Sequence, residues 1–223
     1  MTPQPALAAT GAVVIAPHCD DAAFSLGGAI AAGALGPFAV INLFSRTSFT
    51  LQGLGPVEEV SRHRKAEEAA ALADRARRIA FLDYDDWCLG TRGQAGLPAQ
   101  AGAQAFEAIA SLATGMGTRT LLFPLGIGAH PDHLAAHHLA GQFSDGWRVG
   151  FYEDLPYAAL AGAQPEAHLG RLAPQVIAGD VHGKRALLSC YRTQVAPPVL
   201  EAVSQYHRQT GGERIFWRTT GPA

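Results

Sequence analysis

Two short segments of the chain combine histidine and aspartate in spacings that suit a metal site. The first reads PHCDD and contains His18, Asp20 and Asp21. The second reads AHPDH and contains His130 and His133. Two histidines and one carboxylate around a divalent cation leave a coordination position for water, as catalytic zinc sites do. These residue types therefore indicate hydrolysis by a water that a metal activates.

The spacing within the first segment predicts different tasks for its two adjacent carboxylates. His18 and Asp21 lie three residues apart on a predicted tight turn, so both side chains can aim at one cation. His133 would supply the third ligand. Asp20 would then point toward the water, where a carboxylate serves as general base. The cation would also allow both neighbouring aspartates to remain ionised.

The other polar side chains of the second segment can face the same cleft. His130 lies three residues before His133, and as an imidazolium it would stabilise an oxyanion or protonate a leaving amine. Asp132 would orient one of the imidazoles, as carboxylates near metal ligands commonly do. His137 forms an H-x-x-x-H pair with His133, but the glutamate of the zincin motif is absent, so we expect it either on the helix surface or behind the metal ligands, without contact to the cation.

The pattern around these segments predicts an α/β fold with a mostly parallel sheet. Apolar runs typical of buried strands alternate with helical segments as far as residue 152. The predicted strands are 13–16, 38–44, 78–82, 119–125, 148–152 and 214–218. The predicted helices are 21–32, 57–75, 101–114, 132–143 and 183–191. Strands that alternate with helices are typical of a sheet covered on both faces.

The two segments are expected to meet at one edge of this sheet. Ligands of open α/β sheets bind at the carboxyl ends of the strands. PHCDD follows the first predicted strand, and AHPDH follows the fourth. Because the first and fourth strands of a doubly wound sheet can be neighbours, one cleft would contain both segments. Beyond residue 154 prolines interrupt the pattern, and we predict a loop-rich stretch.

The two segments together resemble the motif pair of the LmbE/PIG-L family of zinc-dependent N-deacetylases, whose first motif usually reads AHPDDE. RKAE at 64–67 resembles the R-x-x-E helix of that family. KRALLSCYRTQ at 184–194 resembles its late K-x-x-A-x-x-x-Y-x-S-Q segment. The resemblance spans about residues 12–194. Cys19 and Ala22 replace the usual proline and glutamate, and neither is a proposed ligand or base.

The resemblance implies a Rossmann-like three-layer sandwich and a zinc-dependent enzyme that removes the N-acetyl or N-acyl group from an amino sugar of the N-acetylglucosamine type. A small amino-sugar substrate is therefore the expected partner. The metal ligands that the resemblance implies are His18, Asp21 and His133. It implies Asp20 as the base and His130 as the group that stabilises the oxyanion.

Arg64 and Asp86 match, in the same resemblance, positions that bind the sugar. The residues themselves leave another interpretation open for each. Arg64 can pair with Glu67 or Glu68 on its own predicted helix, as charged helix faces often do. Asp86 lies in an aspartate-rich loop, and loop aspartates are common without a ligand.

Length and composition fit one folded domain over residues 1–223, with a loose tail over 1–11. Hydrophobic residues make up 48% and charged residues 16%, and the net charge of −2 gives no electrostatic case for binding nucleic acid. Glycines and a proline interrupt the uncharged stretch 22–44, so we expect no membrane span. Three scattered cysteines indicate reduced thiols and a cytoplasmic location. The sequence leaves open whether the chain forms a homo-oligomer.

Other functions remain as alternatives. A non-catalytic sugar- or nucleotide-binding module could contain the acidic cluster as a structural feature. A metal-dependent hydrolase could also act on another bond, such as a phosphoester. Two histidines and a carboxylate suit iron and other divalent ions as well as zinc. The absence of G-x-S-x-G and G-x-G-x-x-G disfavours a serine hydrolase of the α/β type and a dinucleotide site.

Overall fold

The computed structural model describes residues 7–90, 97–160 and 172–218. Within these ranges the strands are β1 (Ala12–Ala16), β2 (Phe38–Asn42), β3 (Phe49–Thr50), β4 (Gly53–Leu54), β5 (Arg78–Phe81), β6 (Thr120–Pro124), β7 (Arg148–Tyr152), β8 (Leu172–Ile177) and β9 (Glu213–Arg218). The helices are α1 (Leu7–Thr10), α2 (Asp21–Ala31), α3 (Val57–Leu72), α4 (Ala99–Gly115), α5 (Pro131–Leu139), α6 (Tyr157–Leu160), α7 (Val181–Leu188) and α8 (Pro197–Thr210).

One sheet of seven strands organises the fold, in the order β5-β2-β1-β6-β7-β9-β8. The first five strands in this order run parallel to one another. Strand β9 is antiparallel to both β7 and β8. Strands β3 and β4 form a separate antiparallel hairpin. The mostly parallel sheet and its helices confirm the α/β class predicted from the sequence.

The strand order reverses between β1 and β6. Strands β2 and β5 lie on one side of β1, whereas β6 and β7 lie on the other. The predicted pairing of the first and fourth strands is confirmed, since Val13 pairs with Leu121 and Val14 with Leu122. A reversal of this kind opens a crevice at the carboxyl ends of the strands, where ligands of α/β sheets bind.

The central strands are buried on both faces. Every residue of β1, β2 and β6 is buried, and helices α2 and α4 both contact β1. Crossover helices of a parallel sheet cover its faces, which is why these strands read as continuous apolar runs. The strands therefore form a rigid support for the loops at their carboxyl ends.

The uncharged stretch over 22–44 forms most of α2, a turn and β2. Gly33 and Gly36 adopt φ values of +70° and +65°, which residues with a Cβ rarely adopt. They allow the chain to leave the helix and turn before Pro37. Across the described residues, no helix is both long and apolar enough to cross a membrane.

The C-terminal part contains more regular structure than the sequence predicts. Strand β8 occurs in the stretch predicted as loop-rich. Helix α8 lies between the predicted helix 183–191 and the predicted strand 214–218, where no element was predicted. Pro197 and Pro198 begin α8, a position that proline tolerates because the first helical N–H groups have no intrahelical partner. Strand β8 is an edge strand of the sheet, where a proline costs no central hydrogen bond. The prolines therefore mark an edge strand and a helix start.

The predicted loose tail is also partly wrong. Helix α1 forms a short turn, and its Leu7 side chain is buried in the core. Gly11 donates its N–H to the Leu7 carbonyl and adopts a φ of +66°, which ends this turn before β1. Residues 1–6 of the predicted tail lie outside the described ranges.

Candidate active site

The turn between β1 and α2 positions the first segment. Asp20 has φ 149° and ψ −28°, a backbone conformation that residues other than glycine rarely adopt. Strain of this kind persists where the surrounding structure holds it, and it is frequent at functional sites. The turn separates the side chains of Asp20 and Asp21, although the two residues are adjacent in the chain.

Three side chains converge at the carboxyl ends of β1 and β6. One ligand atom from each of His18, Asp21 and His133 lies within 4.8 Å of the other two. His18 Nδ1 is 3.3 Å and His133 Nε2 is 3.4 Å from Asp21 Oδ2. A tetrahedral zinc ion with bonds of about 2.0–2.1 Å separates its ligand atoms by about 3.3 Å. The donor set and its spacing therefore fit a tetrahedral divalent cation.

Two carboxylates orient the imidazoles of this group. Asp132 Oδ2 is 2.8 Å from His18 Nε2, and Asp154 Oδ1 is 2.6 Å from His133 Nδ1. Each contact occupies the ring nitrogen that faces away from Asp21. The remaining nitrogens, Nδ1 of His18 and Nε2 of His133, are left to face a common point.

Asp154 is the main site residue that the sequence reasoning missed. It follows β7, and its Oδ2 accepts hydrogen bonds from the N–H groups of Gly126 and Ile127 at 2.7 and 2.8 Å. The carboxylate therefore fixes both the His133 ring and the loop after β6. The acidic pair in FYEDL, directly after the fifth predicted strand, is the signal that could have identified it.

Asp132 connects three parts of the site. Its Oδ2 contacts His18 and also accepts the Trp87 N–H at 2.9 Å. Its own N–H donates to His130 Nδ1 at 3.3 Å. His18, His130 and Asp132 form a second group of potential ligands within 4.8 Å. In this second group, however, Asp132 Oδ2 already bonds both His18 and the backbone of Trp87, so the first group fits a cation better.

His130 faces the same cleft from the start of α5. Its ring centroid is 5.2 Å from that of His18 and 5.3 Å from that of His133. Because Nδ1 accepts the Asp132 N–H, the ring carries its proton on Nε2. His130 can therefore donate a hydrogen bond from Nε2.

The two adjacent aspartates differ in protonation. Burial raises the pKa of Asp20 to about 6, against the opposing effect of the Arg64 guanidinium. Burial acts in the same direction on Asp21, but the charges of His133 and His18 and the hydrogen bond to His18 outweigh it and lower its pKa to about 2. One carboxylate is thus fixed as an anion, and the other can exchange a proton near neutral pH.

Arg64 lies against Asp20, not on an exposed helix face. Its Nη2 donates to Asp20 Oδ2 at 3.2 Å and to the Cys19 carbonyl at 3.3 Å. The alternative pairing with its helix neighbours is wrong. Glu67 instead accepts from Thr193, and Glu68 accepts from the Tyr191 hydroxyl and the Asn42 amide.

Cys19 and His137 take no part in either group of potential ligands. The Cys19 side chain is 1% exposed, and burial raises the pKa of its thiol well above the ordinary value. It is therefore a packed, protonated thiol, unsuited to act as nucleophile. His137 Nδ1 lies 3.0 Å from the Pro124 carbonyl, so this nitrogen has a backbone partner.

The converging side chains line a cavity of about 290 Å³. Asp86 is buried at its wall and accepts a hydrogen bond from Cys88 Sγ at 2.8 Å. Tyr157 lies on another side, with its ring edge-on to His133 at 5.4 Å between centroids. The further lining residues are His18, Asp20, Asp21, Phe24, Phe49, Arg64, Trp87, Cys88, His130, Asp132, His133, Pro156, Gln194 and Val199.

Comparison with known proteins identifies relatives of the chain. A family model described as "PIG-L: GlcNAc-PI de-N-acetylase" matches residues 13–144. The 2'-N-acetylparomamine deacetylase of Streptomyces fradiae is 32% identical in an alignment 169 residues long that covers 68% of this chain and 59% of that protein. The chain thus spans less than two thirds of this relative.

Solved structures share the fold at lower sequence identity. The A40926 pseudoaglycone deacetylase Dbv21 superposes with a TM-score of 0.76 at 24% identity, over 96% of this chain and 99% of that one. The 4-carboxy-2-hydroxymuconate hydratase GalB from "Pseuodomonas putida" superposes with a TM-score of 0.65 at 19% identity, over 96% of this chain and 97% of that one. A hydrolase and a hydratase thus share this fold, so the reaction must be argued from the site.

Proposed function

The chain belongs to the PIG-L family, and from this premise we propose that it is a metal-dependent N-deacetylase. Its substrate would be an amino sugar or glycoconjugate of the N-acetylglucosamine type. One observation carries the proposal: a His–Asp–His group with the spacing of a tetrahedral cation lies beside a separate buried carboxylate, Asp20. The Streptomyces fradiae relative, named for the deacetylation of N-acetylparomamine, supports this substrate class.

We propose that His18, Asp21 and His133 hold the cation, with zinc as the native metal. Two imidazoles and one carboxylate with an open position are a common ligand set of catalytic zinc. When bound, such a cation polarises the amide carbonyl and lowers the pKa of a water toward neutrality. Asp132 and Asp154 would keep the two ligand imidazoles in the required orientation.

Asp20 would act as the general base. Its carboxylate lines the cavity beside the ligand group, and its pKa of about 6 leaves it ionised at neutral pH. A base with a pKa close to the working pH accepts and returns a proton most efficiently. Arg64 would serve as a positioning residue, because its guanidinium holds Asp20 Oδ2.

His130 would stabilise the oxyanion that forms as the amide carbonyl is attacked. Its Nε2 carries a proton and its ring faces the same cavity, so the neutral ring can hydrogen-bond the oxyanion. The proton that Asp20 takes from the water would then pass to the leaving amine. Asp132, predicted with the catalytic residues, would act by positioning: it holds His18 through Oδ2 and His130 through its N–H.

Asp86 would bind a hydroxyl of the sugar. The carboxylate is buried in the cavity wall, and a buried carboxylate needs hydrogen-bond donors of the kind that a sugar supplies. Arg64, the other predicted sugar-binding residue, would contribute mainly through Asp20, to which it is already bonded.

The location is proposed on separate grounds. Cys19, Cys88 and Cys190 are free thiols, and free, scattered thiols are typical of a reducing compartment. We therefore propose a cytoplasmic location.

We also propose that residues 1–223 form one domain. The central sheet combines strands from both ends of the described chain, which supports this proposal.

The proposed function is tested by amine release and metal content measured on the same purified sample. We expect about one zinc per chain and release of a primary amine from N-acetylglucosamine. Asp20→Asn should retain the metal and lose at least a hundredfold in kcat, because the base is removed. Asp74→Asn, an exposed carboxylate outside the cavity, is the matched control. Full activity of Asp20→Asn would contradict the mechanism.

A further inference from the structure

A cluster of exposed apolar side chains lies on the hairpin of β3 and β4. Among the described residues, five large hydrophobic side chains are exposed, and three of them are in this hairpin. Phe49 is 45% exposed, Leu51 44% and Leu54 72%. Single exposed apolar residues are normal on a protein surface, whereas a contiguous group indicates a binding surface.

The hairpin continues the wall of the cavity. Phe49 and Leu54 are directly paired across the two strands, so their side chains lie on the same face of the hairpin. Phe49 also lines the cavity that contains the His–Asp–His group. The apolar surface of Leu54 therefore extends outward from the cavity mouth.

The hairpin is held in place by polar contacts. Leu51 donates its N–H to the Thr193 carbonyl at 2.9 Å, and Gln194 Nε2 donates to the Phe49 carbonyl at 3.3 Å. Thr193 is itself held by Glu67 through hydrogen bonds of 2.9 and 2.6 Å. These hydrogen bonds involve the backbone of the hairpin and do not depend on its exposed side chains. The stability of the hairpin therefore does not explain why those side chains are apolar.

Cavity size and local charge narrow the choice of occupant. A volume of about 290 Å³ is at the lower limit for small-molecule sites and suits a single sugar ring. Any group attached to that ring must lie across the rim. Residues 47–57 contain no charged side chain. Of the charged residues that flank this stretch, Arg46 and Glu58 pair with each other at 3.2 Å, and Glu59 follows. The hairpin therefore has no excess of positive charge that would attract an anionic membrane or a nucleic acid.

We propose that the hairpin binds an apolar aglycone, aromatic or alkyl, that is linked to the amino sugar in the cavity. The proposal rests on the deacetylase function proposed above and specifies its substrate class. The sugar would occupy the cavity, while the aglycone would lie against Phe49 and Leu54. Free N-acetylglucosamine would then be a poor substrate compared with its apolar glycosides.

The first test compares kcat/KM for N-acetylglucosamine with that for its 4-nitrophenyl glycosides of both anomeric configurations. We expect kcat/KM to be at least about tenfold higher for one of the aryl glycosides. The double variant Leu51→Ser/Leu54→Ser should reduce this preference about tenfold. Val176→Ser, which changes a 50% exposed side chain of β8, is the matched control and should keep the preference.

A second test is independent of turnover. The deacetylated products, glucosamine and 4-nitrophenyl glucosaminide, are titrated into the zinc-loaded chain by calorimetry. We expect tighter binding of the aryl product, and we expect this affinity to fall about tenfold in the double variant.

The outcomes distinguish the two proposals. If no acetylated sugar reacts but the aryl product still binds more tightly, the deacetylase proposal fails and the proposed aglycone site on the hairpin stands. Equal kcat/KM values for N-acetylglucosamine and its 4-nitrophenyl glycosides would overturn the aglycone site. A double variant that keeps the wild-type preference for the aryl glycoside would overturn it too. The proposal would also fail if the chain binds neutral phosphatidylcholine vesicles through the hairpin and shows no preference for aryl glycosides over the free sugar.

Discussion

Asp154 Oδ1 lies 2.6 Å from His133 Nδ1, and this contact determines which imidazole nitrogen faces the candidate metal position. The carboxylate is itself held by two backbone N–H groups after β6. The ring orientation therefore depends on the pairing of β6 with β7, the strand that precedes Asp154. The candidate metal site thus depends on the sheet as well as on its three candidate ligands.

Replacement of Asp154 should weaken metal binding without abolishing the fold. Asp154→Asn removes the negative charge that orients His133 and makes it a better ligand, so we expect zinc affinity to fall 10- to 100-fold. Competition with a chromogenic chelator measures this affinity. Asp145→Asn, an exposed carboxylate in the loop before β7, should bind zinc normally. An Asp154→Asn protein with wild-type zinc affinity would show that this contact has no role in the metal site.

Replacement of Arg64 separates positioning from sugar binding. Arg64→Met removes the hydrogen bond to Asp20, and we expect kcat to fall about a hundredfold with KM nearly unchanged. Arg64→Lys keeps the charge and should recover part of kcat. Steady-state kinetics on N-acetylglucosamine distinguish the two roles, with Arg62→Met on the exposed face of α3 as control. A large rise in KM with kcat preserved would instead show that Arg64 binds the sugar directly.

Glu68 should make stability depend on pH. It is fully buried, and burial raises its pKa from 4.5 to about 7, despite hydrogen bonds from Tyr191 and Asn42 that lower it. Between these pH values the folded chain keeps a proton that the unfolded chain releases. The free energy of unfolding should therefore decrease as pH rises from about 4.5 to about 7, by about 3 kcal/mol.

Urea denaturation of the metal-free chain across this pH range tests the dependence. Glu68→Gln cannot ionise, so its unfolding free energy should lack the part of the decrease that comes from this residue. Glu107→Gln, an exposed position on α4, should retain the wild-type pH dependence. The assignment to Glu68 is refuted if Glu68→Gln and the wild type lose stability in parallel.

The ligand group was predictable because its evidence is local. His18 and Asp21 lie three residues apart on a turn after an apolar strand, and His133 follows another such strand. The rule that α/β sheets bind ligands at the carboxyl ends of their strands was enough to bring them together. Sequence spacing and topology therefore predicted the three converging side chains.

The partners of these residues were less predictable because they depend on tertiary contacts. Asp20 and Arg64 are separated by 44 positions, and no spacing pattern selects this pair over Arg64 with Glu68. The role of Asp154 requires β7 to lie beside β6, which the sequence predicts only as one topology among several. Helix α8 was missed because its two initial prolines resemble a loop signal.

Asp132 connects the His18 ring to the backbone of Trp87. Its single Oδ2 holds His18 and the backbone N–H of Trp87, and Trp87 lines the cavity where the sugar would bind. A sugar that shifts the Trp87 backbone would therefore turn the His18 ring through the shared oxygen. Occupancy of the cavity and the geometry of the proposed metal ligands would therefore be coupled through this atom.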